Sequence, residues 1–101
     1  MAARFRAEET LPGTREQIVT VSVAALQACR FVVIDSDGDR GWIRARAPIN
    51  VRSWGEDITV TVGADGQVEI VSECRLATQI LDWGKNRANV AQLLSKLRSA
   101  F

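Results

Sequence analysis

The chain has 101 residues, of which 47% are hydrophobic and 25% are charged, and its formal net charge is +1. These values are typical of one small globular domain, and they exclude a disordered chain and a strongly basic protein that would attract nucleic acid. The sequence contains no histidine, which removes the commonest general base and the commonest ligand of transition metals. We therefore predict a noncatalytic single domain over residues 1–101, without a metal or cofactor.

The apolar runs are too short for a membrane span, and "MAARFRAEET" at the N-terminus lacks the apolar core of a signal peptide. We expect a cytoplasmic protein that does not bind membranes. In that compartment Cys29 and Cys74 are expected to be reduced core residues rather than a disulfide.

The first half of the sequence predicts a strand, a helix and a hairpin. "RFRAEETL" alternates between apolar and charged residues, as a strand does. Thr14 and Gln17 have the spacing of a capping box, which predicts a helix from Arg15 to about Cys29. "FVVID" is apolar on both faces, which is typical of an interior strand, and "DSDGDRG" has the turn residues of a hairpin loop.

The second half predicts three alternating strands and a closing helix. The strands are "GWIRARAP", "GEDITVTV" and "QVEIVSEC", and "GADG" is a hairpin turn between the last two. The segment from about Trp83 to Ser99 is predicted to be helical because apolar residues recur there at helical spacing: Trp83, Val90, Leu94, Leu97 and Phe101. Its start could lie near Gln79 or near Gly84.

The predicted fold class is α+β, with two layers and the order β-α-β-β-β-β-α. Both helices cover one face of an antiparallel sheet, which leaves the opposite face wholly or partly open. This order matches the arrangement of TATA-binding-protein-like repeats and, in elaborated form, of helix-grip lipid-binding domains. Such an analogy concerns the fold and does not establish a function.

The segment "DWGKNR" has two interpretations. In the structural one, Asp82 caps the last helix and Trp83 packs on the sheet, while Lys85 and Arg87 are solvated. In the functional one, Lys85, Asn86 and Arg87 bind an anion together with the N–H groups of the first helical turn. We favour the structural interpretation and keep the second as a hypothesis.

A related hypothesis places a small acyl or aromatic ligand between the last helix and the sheet. Its carboxylate would meet Lys85 or Arg87 at the mouth. The side chains predicted to line this slot are Trp83, Val90, Leu94, Ile58, Val60 and Ile70.

The acidic residues of "DSDGDRG" resemble a calcium loop only in their alternation. An EF-hand loop that started at Asp35 would need glycine at its sixth position and glutamate at its twelfth. Arg40 and Arg46 occupy these positions. We predict a plain hairpin turn here.

One strand face carries Trp42, Arg44 and Arg46, which is a pattern that can stack bases or meet phosphates. Glu69 and Glu73 lie on the same side of the predicted sheet, and they disfavour a nucleic acid. The alternative is self-association, through an edge strand or through this face. In the second case Trp42 and Val71 of two copies stack, and Arg44 and Arg46 of one copy meet the glutamates of the other.

Neither the acidic pair Glu56 and Asp57 nor the thiol of Cys74 is predicted to be catalytic. Glu56 and Asp57 are adjacent, so they point to opposite faces of a strand and do not form an acid/base pair. Cys74 is on the predicted inward face, where a thiol is not an accessible nucleophile.

The segments "SWGEDITVTV", "SEC" and "TQILDWGKNRANV" together resemble a family of short bacterial proteins of unknown function. The shared features are a Trp-Gly pair that enters a strand, a serine in the final strand, and an aromatic-Gly-Lys-Asn run that opens the last helix. The resemblance covers about the second half of the chain. It implies one structural unit over residues 53–101 and no particular activity.

From these observations we predict a noncatalytic binding or protein-interaction module. The alternatives are a self-associating structural protein and a binder of small apolar carboxylates. The expected partner is a second copy or another protein.

Overall fold

The computed structural model describes residues 4–47, 55–74 and 85–101. These residues form the predicted β-α-β-β-β-β-α order of an α+β fold. The elements are β1 (Arg4–Thr10), α1 (Arg15–Ala28), β2 (Val32–Asp37), β3 (Trp42–Ala47), β4 (Glu56–Val62), β5 (Gln67–Cys74) and α2 (Lys85–Ser99).

The five strands pair antiparallel in the order β1-β5-β4-β3-β2, with β4 in the centre. The prediction that "FVVID" forms an interior strand is wrong, because β2 lies at one edge of the described sheet. Helix α1 carries the chain from β1 at one edge to β2 at the other. Val32 and Ile34 of β2 are accordingly 61% and 50% exposed.

A β-bulge interrupts the pairing of β2 with β3. Val33 pairs with Ala45 and Asp35 pairs with Arg44, so Ile34 is the extra residue.

Both helices pack on the same face of the sheet and share one hydrophobic core with it, as predicted. The core residues are Leu11, Ile18, Val19, Ala25, Leu26, Cys29, Phe31, Ile43, Ala45, Ala47, Ile58, Val60, Val62, Val68, Ile70, Val90, Leu93, Leu94 and Leu97. Neither of the helices in the described ranges is long and apolar enough to span a membrane.

The capping box at the start of α1 is confirmed. Thr14 Oγ1 accepts from the backbone N–H of Gln17 at 3.1 Å, and the backbone N–H of Thr14 donates to Gln17 Oε1 at 2.9 Å. At the other end, the N–H of Phe31 donates to the carbonyl of Leu26, and Arg30 adopts the left-handed conformation with φ 66°. This is a Schellman ending, in which a non-glycine residue holds the position that glycine usually takes.

The two predicted hairpin turns are confirmed. Asp37 Oδ1 accepts from the backbone N–H groups of Asp39 and Arg40, which closes the turn between β2 and β3. Gly66 ends the turn between β4 and β5 with φ +85°, and a Cβ there would lie 2.4 Å from the carbonyl oxygen of Leu11. The second turn thus requires glycine at this position.

The described part of α2 begins at Lys85, so the predicted starts near Gln79 and Gly84, together with Trp83, lie outside the described residues. Val90 and Leu97 are buried as predicted. Phe101 was predicted to continue this buried stripe, but α2 ends at Ser99 and the Phe101 side chain is 40% exposed beside Gly13.

Candidate functional site

Five polar side chains meet between the first turns of α2 and the adjoining ends of β4 and β5. We call Glu56, Ser72, Cys74, Asn86 and Asn89 the buried polar cluster. The exposed fraction is 5% for Cys74, 2% for Asn89 and zero for the other three. Asn86 and Asn89 are three residues apart, so they share one face of the helix.

Hydrogen bonds join the helix side of the cluster to both strands. Asn89 Nδ2 donates to Glu56 Oε1 at 2.9 Å and to Ser72 Oγ at 3.2 Å. Ser72 Oγ donates to Asn86 Oδ1 at 2.8 Å, and Asn86 Nδ2 lies 3.5 Å from Cys74 Sγ. The two amides therefore fix the rotation of α2 relative to β4 and β5.

The chemistry of the cluster favours a structural role. The Ser72 hydroxyl donates to an amide oxygen, which is not a general base that could activate it. The amide of Asn89 bridges Glu56 and Ser72. A buried network of this kind rigidifies a fold because each polar group needs its partner away from water.

The predicted anion-binding residues lie in different environments. In the anion-binding hypothesis Asn86 faces a ligand. In the structure its side chain is fully buried on the side of α2 that also carries Asn89. Arg87 is exposed, and its guanidinium lies 5.3 Å from the ring centroid of Phe5 on β1. Lys85 is the first described residue of α2, and its participation in an anion site with Arg87 stays a prediction.

The predicted ligand slot coincides with the hydrophobic core. Its described residues are at most 8% exposed: Ile58, Val60, Ile70, Val90 and Leu94. These side chains pack α2 onto the sheet, and Trp83 lies outside the described residues.

The second candidate site is the side of the sheet opposite the helices, which we call the open face. Its residues alternate with the core residues along four strands. They are Arg4, Arg6, Glu8 and Thr10 on β1; Trp42, Arg44 and Arg46 on β3; Asp57, Thr59 and Thr61 on β4; and Gln67, Glu69, Val71 and Glu73 on β5. The predicted interface residues Trp42, Arg44, Arg46 and Val71 thus lie together on one surface.

Charges of both signs are paired across the open face. Arg46 Nε lies 3.5 Å from Asp57 Oδ1, and Arg6 Nη2 lies 2.6 Å from Glu69 Oε2. Such exposed pairs contribute little stability, about 0–1 kcal/mol each. Positive and negative charges on the face are therefore close to balanced locally.

An apolar corner adjoins these charges at the β2 edge. The Arg44 guanidinium lies 5.8 Å from the ring centroid of Trp42, in a cation–π arrangement. Ile34 borders a depression of about 320 Å³, whose other walls are Arg44, Ala45, Arg46, Asp57, Ile58, Thr59 and Glu73.

The acidic and thiol side chains of the described residues do not form a metal centre. No group of three or more His, Cys, Asp or Glu residues in these ranges could hold a metal ion. Cys29 and Cys74 are free and buried. Burial raises the pKa of the Cys29 thiol, and the positive charge of Lys96 acts in the opposite direction.

No protein-family model matches the chain, and comparison with curated proteins finds no relative.

Proposed function

We propose that the chain is a noncatalytic protein-interaction module and that the open face is its binding surface. The observation that carries this proposal is the position of both helices on one side of the sheet. The other side is thereby left with Trp42, several arginines and an exposed aliphatic corner at Val32 and Ile34.

The residue types on this face favour a protein partner. Tryptophan and arginine are enriched in protein interfaces and among the residues that dominate their binding energy. Exposed aliphatic side chains lie beside them, such as Ile34, and burying this apolar surface against a partner is favourable. The apolar side chains that a small ligand would need are already packed in the core beneath α2.

The state of the polar residues supports a noncatalytic role. Ser72 and Cys74 are the side chains of nucleophile type in the buried polar cluster. Both are buried, and both contact the Asn86 amide of α2. The buried free thiols also fit the cytoplasmic location that we propose.

Site-specific photo-crosslinking tests the proposal without presupposing the partner. A benzophenone amino acid replaces Thr59, at the centre of the open face, in protein produced in the cells of its source organism. The matched control replaces Thr20, which is exposed on α1 on the other side of the molecule. Light should produce adducts of higher mass from position 59 and none from position 20.

The opposite result has a clear meaning. Equal adducts at both positions, or none at position 59 in protein with a native circular dichroism spectrum, would overturn the open face as the binding surface.

A further inference from the structure

We infer that the open face binds the open face of a second copy of this chain, related by a two-fold axis that runs along β4. This inference rests on the proposed function and names the partner for the same surface. It follows from the strand order, the register and the signs of the charges.

The pairing register arranges the open face, together with the β2 residues that pair beside it, in three rows that cross the sheet. The first row is Val32, Arg46, Asp57, Glu73 and Arg4, from β2 to β1. The second is Asp35, Arg44, Thr59, Val71 and Arg6, and the third is Asp37, Trp42, Thr61, Glu69 and Glu8. Positive charge is thus concentrated on β3 and negative charge on β5, one on each side of β4.

Two sheets that pack face to face keep their strands roughly aligned, and two-fold symmetry then allows two arrangements. An axis across the strands places β3 over the β3 of the second copy and β5 over its β5. Arginines then oppose arginines and glutamates oppose glutamates, which is repulsive.

An axis along β4 avoids this repulsion. It places β3 over β5 and β2 over β1, and it leaves each row at its own height along the strands. Arg46 of each copy then lies over Glu73 of the other, and Asp35 lies over Arg6. Each contact occurs twice, because the interface is self-complementary.

The like charges in this arrangement already have cations beside them. Asp57 lies on the axis and meets its own counterpart, but it is paired within its chain with Arg46 at 3.5 Å. Glu8 approaches Asp37 at one corner, where Arg6 contacts the first and Arg40 lies 3.9 Å from the second. Thr59 lies on the axis without a charge, so it marks the centre of the interface.

A charge-swap series tests the partner and the pairing together. Sedimentation velocity should show a dimer for the wild type. Arg46→Glu alone and Glu73→Arg alone should each weaken dimerisation by about tenfold or more, because each opposes like charges twice. The double variant should recover most of the wild-type affinity, since it restores both pairs with reversed signs.

Cysteine crosslinking tests the axis independently. Thr59→Cys places thiols near the axis in both copies, so a short bis-maleimide should join them. Thr10→Cys is the matched control on β1, two strands away from the axis. Its two copies would be separated laterally by about 19 Å, because neighbouring strands lie about 4.8 Å apart. The wild type controls for Cys29 and Cys74, which are buried.

The outcomes separate this inference from the proposed function. A wild-type monomer that still gives photo-adducts with another protein at position 59 keeps the proposed function and overturns the second copy as partner. A dimer that crosslinks through Thr10→Cys and not through Thr59→Cys, or that ignores the charge swap, overturns the axis along β4.

Discussion

The substitution Asn89→Asp tests whether the buried polar cluster holds α2 on the sheet. It keeps the shape of the side chain but replaces the amide nitrogen, which donates to Glu56 Oε1 at 2.9 Å, with a carboxylate oxygen. Two ionised carboxylates at this separation repel each other by about 6 kcal/mol at an effective dielectric constant of about 20.

Retaining one proton on the pair formed by Glu56 and the new carboxyl group requires less free energy than this repulsion. A free carboxyl side chain ionises near pH 4, so holding a proton at pH 7 costs about 4 kcal/mol, at about 1.4 kcal/mol per pH unit. The protonated carboxyl can donate to Glu56 in place of the amide. The 3.2 Å bond from Asn89 to Ser72 is lost, which adds about 1 kcal/mol. We therefore expect the free energy of unfolding to fall by roughly 5 kcal/mol at pH 7.

This loss should depend on pH in a defined direction. The folded variant retains a proton that its unfolded chain has released, so its stability relative to wild type rises as the pH falls. At pH 5 the loss should shrink to about 2 kcal/mol. Urea denaturation followed by circular dichroism at pH 5, 6 and 7 measures this trend.

The exposed residue Gln92 on the same helix provides the control. Gln92→Glu makes the same amide-to-carboxylate change and should stay within about 0.5 kcal/mol of wild type at each pH. If Asn89→Asp behaves like this control, or if its loss is the same at all three pH values, then Asn89 does not contact Glu56 in a buried site.

Three further predictions concern the turns, the caps and one thiol. Gly66→Ala should destabilise the fold by more than 1 kcal/mol in urea denaturation, because φ is positive there and the new Cβ would meet the carbonyl oxygen of Leu11. The control Gly38→Ala has no atom within 4 Å of its new Cβ and should be neutral or slightly stabilising. Thr14→Ala should lower the melting temperature, because it removes an N-cap that contributes about 1 kcal/mol. Arg30→Gly should raise the melting temperature, because glycine adopts the left-handed conformation without the steric cost that arginine has there. A shift of opposite sign in either case contradicts the assigned caps. Burial raises the pKa of the Cys29 thiol above its ordinary value of 9.0, so the folded state retains a proton that the unfolded chain releases at higher pH. The free energy of unfolding should therefore fall as the pH rises above 9.0, and Cys29→Ala should remove that part of the decline.

Most of the fold could be predicted because local patterns decide it. Alternation along "WIRARA" and "EDITVTV" determines which residues face the core, and the burial patterns of β3 and β4 follow it residue by residue. The capping box and the turn glycines determine where α1 starts and where the hairpins close. These signals operate within a few residues, so the sequence displays them directly.

The position of β2 could not be predicted in the same way. An apolar run such as "FVVI" indicates a strand that avoids water, but it does not identify the neighbouring strands. Here β2 pairs with β3 alone in the described sheet and has a bulge at Ile34, and part of its apolar surface stays exposed. Strand order depends on where α1 crosses the sheet, which is a property of the whole fold.

Asn86 shows a related difficulty at the level of one side chain. Its polarity predicts an exposed position, whereas its spacing from Asn89 and Val90 predicts a buried one. The second signal prevails because Ser72, 14 residues earlier, supplies a hydrogen-bonding partner inside the protein. A buried amide is stable only with such a partner, and the partner is visible only once β5 and α2 are placed together.

The same dependence on strand order governs the open face. In the sequence, Arg44 and Arg46 precede Glu69 and Glu73 by more than 20 residues, and nothing local relates them. Once β3 and β5 are placed on opposite sides of β4, the two charge groups become related by a half-turn about β4. In a chain whose β3 and β5 were direct neighbours, no strand would lie between the two charge groups, and a half-turn about a central strand would not bring the arginines of one copy over the glutamates of a second. The central position of β4 is therefore the feature of the fold that favours a second copy as partner.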